Sequence, residues 1–201
     1  LSVFVLTACT SEDKNKEEQL DYPVLANDNV AAIDLTRGNY ACVDIDTSFG
    51  LIKVALDTYY APKTTENFRS YVSSGFYDGL IFHRVIPTFD DSLTRQTTRA
   101  PIKSESKNGL RNFRGRIAMA RTAAPHSATS QFYINVVNNP GLDQPNAGDG
   151  VGYTVFGGVI EGMDVVDQIK DVETGPSGNM NDVPLNDVYI TSALEVDCPA
   201  D

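Results

Sequence analysis

The chain of 201 residues is long enough for one domain with a sizeable core, because hydrophobic residues make up 41% of it. Its 27 acidic residues outnumber the 16 basic ones and give a net charge of −11, which would repel a polyphosphate backbone and argues against nucleic-acid binding. The short basic run RNFRGR, residues 111–116, is therefore expected to be a solvated loop face.

The first residues have the pattern of the end of a secretory signal. In LSVFVLTACTSEDKNKEEQ, residues 1–19, an apolar run too short to span a membrane precedes small residues, a cysteine and a polar tract. The spacing LTAC resembles the lipobox of bacterial lipoproteins, whose cysteine, here Cys9, is lipidated; an ordinary cleaved signal with an incidental cysteine is the alternative. With Thr10 next, we expect a periplasm-facing lipoprotein of the outer membrane, with residues 1–9 as signal remnant, 10–39 as tether and lead-in, and 40–201 as the folded domain.

Short strands follow from Tyr40 onward. Residues 42–57, CVDIDTSFGLIKVALD, alternate apolar and polar on both sides of TSFG and predict a β-hairpin. Residues 61–75, APKTTENFRSYVSSG, have helical spacing, and GMDVVDQIKDV, residues 162–172, predicts a second helix. Many short strands with one early and one late helix favour a closed antiparallel β-barrel plugged at its ends. Further strands are predicted at LIFHRVI, GRIAMAR, SQFYINVV, GYTVFGGVI and VYITSALEV.

The residues provide little for several kinds of chemistry. His83 and His126 are the two histidines and no cysteine is near either, so a zinc site lacks ligands. P-loop, Rossmann and Gly-x-Ser-x-Gly patterns are missing, and the adjacent loop acids Asp90 and Asp91 are interpreted as solvated. No cofactor is expected. In an exported protein Cys42 and Cys198 suggest a disulfide, with two buried free thiols as the alternative.

Three segments in order, FHRVIPTF, MARTAAPHSATSQFYINV and GYTVFGGVIEGMDVVDQI, resemble the cyclophilin family of peptidyl-prolyl cis-trans isomerases, especially its bacterial exported branch. The resemblance covers the chain from about Cys42 to Val196. It implies a mainly β fold, a closed eight-stranded antiparallel β-barrel capped by two α-helices, in a monomer that acts on proline-containing polypeptides. In that barrel the first and last strands are neighbours, which would bring Cys42 and Cys198 together.

The resemblance also implies which residues form the site. The family accelerates rotation about X-Pro bonds, whose barrier is ~18–20 kcal/mol, by an apolar slot for the proline ring and a donor toward the prolyl nitrogen. Arg84 corresponds to the catalytic arginine of the family. Strand alternation turns Phe132 toward the core and gives His83 a structural role. The substrate-binding positions are Phe89, Tyr133 and Leu142 as pocket walls, Gln131 and Tyr153 beside them, and Ala120 and Arg121 at the strand end whose backbone holds the substrate.

The sequence departs from the family after Phe89. There the family continues with an apolar residue and a Gln-Gly-Gly run, which forms the next barrel strand and places its glutamine beside the arginine. Here DDSLTRQTTRAPI follows directly, the segment is shorter, and Gln96 is at the wrong distance to replace that glutamine. We therefore expect a prolyl isomerase of reduced activity that assists the folding of exported proteins. The alternatives are a non-catalytic module that binds proline-containing segments and a purely structural envelope barrel.

Overall fold

The structure, a computed structural model, describes residues 33, 35–83, 86–89, 96–144, 146–177 and 180–199. Five residues discussed above, Cys9, Thr10, Arg84, Asp90 and Asp91, lie outside the described residues. The same holds for the signal remnant and for most of the tether.

The described residues form ten strands and two α-helices. Short 3-10 helices at Leu35–Arg37 and Pro140–Leu142 complete the secondary structure. Within this part of the chain neither α-helix is long or apolar enough to cross a membrane. The elements are β1 (Tyr40–Thr47), β2 (Gly50–Asp57), α1 (Pro62–Val72), β3 (Ile81–His83), β4 (Ile86–Phe89), β5 (Arg116–Met119), β6 (Phe132–Ile134), β7 (Val155–Glu161), α2 (Met163–Lys170), β8 (Thr174–Ser177), β9 (Met180–Pro184) and β10 (Ile190–Val196).

The predicted hairpin and both predicted helices are confirmed. β1 pairs with β2 in one unbroken antiparallel register, from Tyr40 opposite Asp57 to Thr47 opposite Gly50. At the turn the Thr47 hydroxyl donates to the Gly50 carbonyl oxygen at 2.7 Å. Pro62 is the first residue of α1, where its missing N–H costs no helical hydrogen bond.

The fold is mainly β, but the pairing differs from the closed eight-stranded barrel that the resemblance implied. Six strands form one antiparallel sheet in the order β10-β1-β2-β7-β5-β6, an open half-barrel. The hairpins β3-β4 and β8-β9 are separate two-stranded sheets. The half-barrel places β5 and β6 at one edge of the sheet.

One strand prediction was wrong in detail, and one hairpin was not predicted. The segment LIFHRVI was predicted as one strand, whereas β3 ends at His83 and pairs with β4, so that His83 lies opposite Ile86. An apolar run has the same alternation whether it is one strand or two halves of a hairpin. The hairpin of β8 and β9 was missed because residues 174–184, TGPSGNMNDVP, have the composition of a loop.

Aromatic rings fill the core under α1. Phe68 of the helix meets Phe132 of β6 edge to face, with ring centroids 5.2 Å apart, and Tyr77 meets the same Phe132 at 5.5 Å. All three side chains are at most 1% exposed. The core position expected for Phe132 is confirmed, so its neighbour Tyr133 faces the other side of β6.

The basic run RNFRGR is a structural segment, and the prediction of a merely solvated face was wrong. Arg114 bonds through both terminal nitrogens to the carboxylate of Asp167 on α2 and also donates to the Val136 carbonyl at 2.7 Å. Burial lowers the pKa of the Arg116 guanidinium. The run therefore joins β5 to α2 and to the end of β6, contacts that charge counting along the sequence does not reveal.

A disulfide joins the first and last strands, β1 and β10, which are neighbours at one edge of the sheet. Cys42 on β1 lies opposite Val196 on β10, and it is bonded to Cys198 with the Cα atoms 5.0 Å apart. The two cysteines are 156 residues apart in the sequence, so the bond closes almost the whole domain into one loop.

Candidate active site

The centre of the candidate site is Tyr133 on β6, a half-buried tyrosine. β6 pairs with β5, which places Tyr133 opposite Ala118. Its hydroxyl donates to Oδ1 of Asn112 at 2.7 Å. Burial raises the pKa of the Tyr133 phenol far above its ordinary value, so the hydroxyl keeps its proton at every physiological pH. Tyr133 therefore presents a fixed aromatic face.

A buried polar network continues from Tyr133 to the next loop. Asn112 is fully buried and donates from its backbone N–H and its side-chain amide to Oδ1 of Asp143, at 2.7 and 2.9 Å. Its carbonyl oxygen accepts from the N–H of Asn139 at 2.8 Å. These bonds fix the 3-10 helix Pro140–Leu142, and with it Leu142, beside β6. Sequence reasoning missed Asn112 and Asp143, whose pairing over 31 residues has no local signal.

Gly152 brings the other end of the same loop back to Leu142. Tyr153 donates its N–H to the Leu142 carbonyl at 2.9 Å. Gly152 has φ of +70°, and a β-carbon there would lie 2.7 Å from the Leu142 oxygen and 2.5 Å from the Gln144 nitrogen. Only glycine fits this close approach. The rings of Tyr153 and Tyr133 then meet edge to face, with centroids 6.0 Å apart.

Arg121 closes this side of the site. At the end of β5, Ala120 donates its N–H to the Gln131 carbonyl at 2.9 Å, which continues the pairing with β6. The Arg121 guanidinium lies 4.6 Å above the ring centroid of Tyr153, and its Nε donates to the Gly152 carbonyl at 2.8 Å. Its Nη2 pairs with the carboxylate of Asp149, a residue that sequence reasoning also missed. The guanidinium is thus part of the wall.

Two predicted site residues remain, Phe89 and Arg84, and the structure describes only the backbone of Phe89. Phe89 ends β4 opposite Ile81, and β4 lies beside β6, so the backbone of the Phe89 strand approaches the strand of Tyr133. Arg84 lies outside the described residues. The structure therefore gathers Tyr133, Leu142, Tyr153, Arg121, Ala120 and the backbone of Gln131.

The last part of the segment that follows Phe89 packs against α1. Residues 96–101 have no strand, and Ile102 forms an isolated bridge with Ala128. Arg99 donates its N–H to the Tyr71 hydroxyl at 2.8 Å and its guanidinium to the Ser70 carbonyl at 3.0 Å. In this stretch the chain is thus bonded to a helix, where the family was expected to add a barrel strand.

Comparison with known proteins supports the resemblance to cyclophilins. The model of the family described as "Cyclophilin type peptidyl-prolyl cis-trans isomerase/CLD" matches residues 42–195. A peptidyl-prolyl cis-trans isomerase of Streptomyces antibioticus is 50% identical over 159 residues, which cover 75% of this chain and 96% of that protein. Peptidyl-prolyl cis-trans isomerase B of Escherichia coli is 48% identical over 158 residues, with 75% and 96% covered.

Solved structures agree in fold. A Cryptosporidium parvum cyclophilin type peptidyl-prolyl cis-trans isomerase superimposes with a TM-score of 0.65 at 24% identity, covering 80% of this chain and 99% of that one. A cyclophilin from Hirschia baltica has a TM-score of 0.61 at 20% identity, with 81% and 75% covered. At these identities the likeness concerns the fold alone.

Proposed function

The chain belongs to the cyclophilin-type peptidyl-prolyl cis-trans isomerase family, and from this membership we propose that it isomerises X-Pro bonds in exported proteins during their folding. The observation that carries the proposal is the family match over residues 42–195, and the proximity of Tyr133, Leu142 and Tyr153 supports it. The same match supports the prolyl isomerase activity itself.

The proposed reaction needs geometry more than covalent chemistry. Twisting an X-Pro bond breaks the resonance between the nitrogen lone pair and the carbonyl group, which creates the ~18–20 kcal/mol barrier. An enzyme lowers it by binding the twisted form more tightly than either planar isomer. Tyr133, Leu142 and Tyr153 offer an apolar slot for the pyrrolidine ring, and the strand end at Ala120 offers backbone groups for an extended peptide. Arg84 would donate toward the prolyl nitrogen with its permanent charge.

We propose further that the rate is lower than in relatives that have the Gln-Gly-Gly run. A glutamine beside the arginine would hold it by a hydrogen bond to a charged group, worth ~1.5–3 kcal/mol. If the bond matters mainly in the twisted state, its loss slows catalysis by roughly 10- to 100-fold. The packing of residues 96–102 against α1 and Ala128 supports this interpretation.

Ring closure into eight strands is part of the proposal. The N–H of Phe82 in β3 donates to Val188 O, and that of Ile190 in β10 donates to Leu80 O, both at 2.8 Å. Ile81 forms an antiparallel bridge with Tyr189, and β4 lies beside β6. These contacts support a barrel of the order β10-β1-β2-β7-β5-β6-β4-β3, in which β3 returns to β10.

We also propose a periplasm-facing lipoprotein, monomeric and held at the outer membrane through Cys9, with residues 1–9 as signal remnant, 10–39 as tether and 40–201 as the isomerase domain. The Cys42–Cys198 disulfide supports an oxidising compartment. Lipid labelling and membrane partitioning of wild type and Cys9→Ser test the anchor. Labelling lost in the variant supports it, and unchanged partitioning counts against it.

The activity is tested by kcat/KM on one X-Pro peptide for wild type and Arg84→Ala, with the folding of both checked by circular dichroism. We expect weak activity that falls in the variant. Equal rates at the uncatalysed level would reject the enzyme. The second candidate would then be a module that binds proline peptides, which the departure of the sequence after Phe89 favours. Titration with Ala-Pro tests it; one Cryptosporidium parvum structure was solved in the presence of this dipeptide. A chain that bound no proline peptide would favour a purely structural barrel.

A further inference from the structure

The Arg121 side chain uses its donors within the protein. Nε donates to Gly152 O at 2.8 Å, Nη1 donates to Thr122 O at 3.0 Å, and Nη2 pairs with Asp149. The face of the guanidinium covers Tyr153. The side chain is only 4% exposed, although its partner Asp149 is 44% exposed. Arg121 therefore connects the end of β5 to the loop that carries the pocket residues.

The two carboxylate oxygens of Asp149 accept hydrogen bonds from different groups. Its Oδ1 accepts from the N–H groups of Val151 at 2.9 Å and Gly152 at 3.1 Å, which shapes the turn before Tyr153. Its Oδ2 accepts from Arg121. The hydrogen bond from Arg121 holds the pKa of the Asp149 carboxyl well below its usual range. The pair is thus intact throughout the neutral pH range, and salt is the practical means to weaken it.

The loop of residues 140–153 is held at two places. At its start, Asp143 lies in the buried network with Asn112. Farther along, residues 146 and 148–150 are exposed, and Asp149 is the point from which the loop reaches across to β5. Since Leu142 lies near the first attachment and Tyr153 near the second, the second attachment governs the position of Tyr153 relative to Tyr133 and the strand end.

We propose that Asp149 is a positioning residue of the isomerase site, which, by pairing with Arg121, holds Tyr153 against the strand end that receives the substrate backbone. The inference rests on the proposed function, because it assigns Asp149 to the same site. Holding the slot in its binding geometry before the peptide arrives reduces the ordering that binding must impose. The latch, as we call the Arg121–Asp149 pair, should therefore act mainly on substrate binding.

Two substitutions distinguish the ion pair with Arg121 from the hydrogen bonds that Asp149 accepts in the turn. Asp149→Asn keeps an Oδ1 acceptor for Val151 and Gly152 and removes the charge, whereas Asp149→Ala removes both. For Asp149→Asn at low salt we expect the KM for an X-Pro peptide to rise about two- to five-fold, the size of effect that a surface ion pair has, with kcat changed less. Added salt should raise the KM of wild type toward that of the variant, and the KM of the variant should stay nearly flat.

A matched control comes from an ion pair between α1 and β10. Arg69 of α1 pairs with Glu195 of β10, and both are about as exposed as Asp149. Glu195→Gln removes the charge of a similarly exposed carboxylate on elements that carry no predicted site residue, so its KM and salt response should equal those of wild type. An equal KM rise in Glu195→Gln would overturn the inference by showing a general charge effect. So would an Asp149→Asn enzyme with the wild-type KM and salt response beside an impaired Asp149→Ala enzyme, because the turn alone would then matter.

Peptide binding tests the role of the Arg121–Asp149 pair separately from the proposed enzymatic activity. The Kd for the same peptide, measured by titration, should rise in Asp149→Asn by the same factor as KM. If wild type binds the peptide without accelerating isomerisation, the proposed enzyme is rejected, and the Kd comparison still decides the latch. Identical Kd values for wild type and Asp149→Asn at low salt would overturn it.

Discussion

The hydroxyl of Tyr133 lies 2.7 Å from Oδ1 of Asn112, and it ties the wall of the candidate proline slot to a buried polar network. Asn112 is bonded in turn to Asp143, which is 3% exposed and carries the loop that brings Leu142 to the slot. Tyr133 and Leu142 are therefore held in place by buried hydrogen bonds, and the Tyr133 ring itself serves only as an apolar surface.

Removing the Tyr133 hydroxyl should affect stability more than binding. Tyr133→Phe removes the hydrogen bond to Oδ1 of Asn112. Among the described residues, the side-chain amide of Asn135 still donates to this oxygen, at 3.3 Å. The loss of one buried hydrogen bond is expected to lower the free energy of unfolding by about 1 kcal/mol. The ring that we propose covers the proline stays, so the Kd for an X-Pro peptide should change less than about twofold, since ring burial supplies most of the contact. Urea denaturation and peptide titration measure the two quantities. A large loss of binding with unchanged stability would contradict this role.

Stability should fall at alkaline pH. Burial raises the pKa of the Tyr133 phenol and of Tyr77, which donates to Ser130 O inside the core. A raised folded-state pKa means that the unfolded chain loses these protons first, so the stabilisation is complete below about pH 10 and declines above it, by up to ~1.4 kcal/mol per pH unit and group. Denaturation between pH 9 and pH 11 should show this decline, and Tyr133→Phe should make it shallower. An equal slope in the variant would mean that Tyr133 ionises alike in both states.

Reduction of the disulfide should destabilise the domain strongly. A bond that closes a loop of this length, 156 residues, stabilises by about 4–5 kcal/mol on the chain-entropy model, less any strain. We expect the double variant Cys42→Ser, Cys198→Ser to unfold roughly 10 °C or more below wild type. Thermal unfolding with and without reductant provides the measurement, because reductant should lower the midpoint of wild type only. Peptide mapping under non-reducing conditions that found both thiols free would contradict the pairing.

A side chain at Gly152 should destabilise the domain and weaken peptide binding. In Gly152→Ala the new carbon would stand 2.5 Å from Gln144 N at a φ of +70°, so the loop must move away from Leu142. We expect the free energy of unfolding to drop by roughly 1–3 kcal/mol and peptide binding to weaken as Tyr153 is displaced. Gly148→Ala is the matched control, since nothing lies within 4 Å of its added carbon in the same loop. Similar stability and binding in both variants would contradict the close packing.

Restoring the missing run should increase the rate. Insertion of an apolar residue and Gln-Gly-Gly after Phe89 is expected to raise kcat/KM by roughly 10- to 100-fold, the gain of one hydrogen bond to a charged group in the twisted state. The same insertion with alanine in place of the glutamine is the control and should give little gain. If wild type already matched Escherichia coli isomerase B, residues 90–96 would have to supply the support in another way, and the proposed reduction would be wrong.

Local patterns were sufficient for much of this protein. Alternation around the turn at residues 47–50 specified the hairpin of β1 and β2, and helical spacing specified α1 and α2, because side-chain periodicity follows from backbone geometry alone. The same alternation separated Phe132, in the core, from Tyr133, which is half-buried on the other face of β6. The three motif segments identified the family, since their order and spacing reflect one shared architecture.

Only the tertiary structure decided which distant polar groups meet. Asn112 and Asp143 pair over 31 residues, and Arg121 and Asp149 over 28, at positions that differ from ordinary loop residues only through their partners. The division of LIFHRVI into β3 and β4 and the hairpin of β8 and β9 likewise depend on strand pairing, which short runs leave undetermined. Periodicity is a local property that each segment carries by itself, whereas a buried network or an ion pair exists only once the chain has folded and excluded water from between its partners.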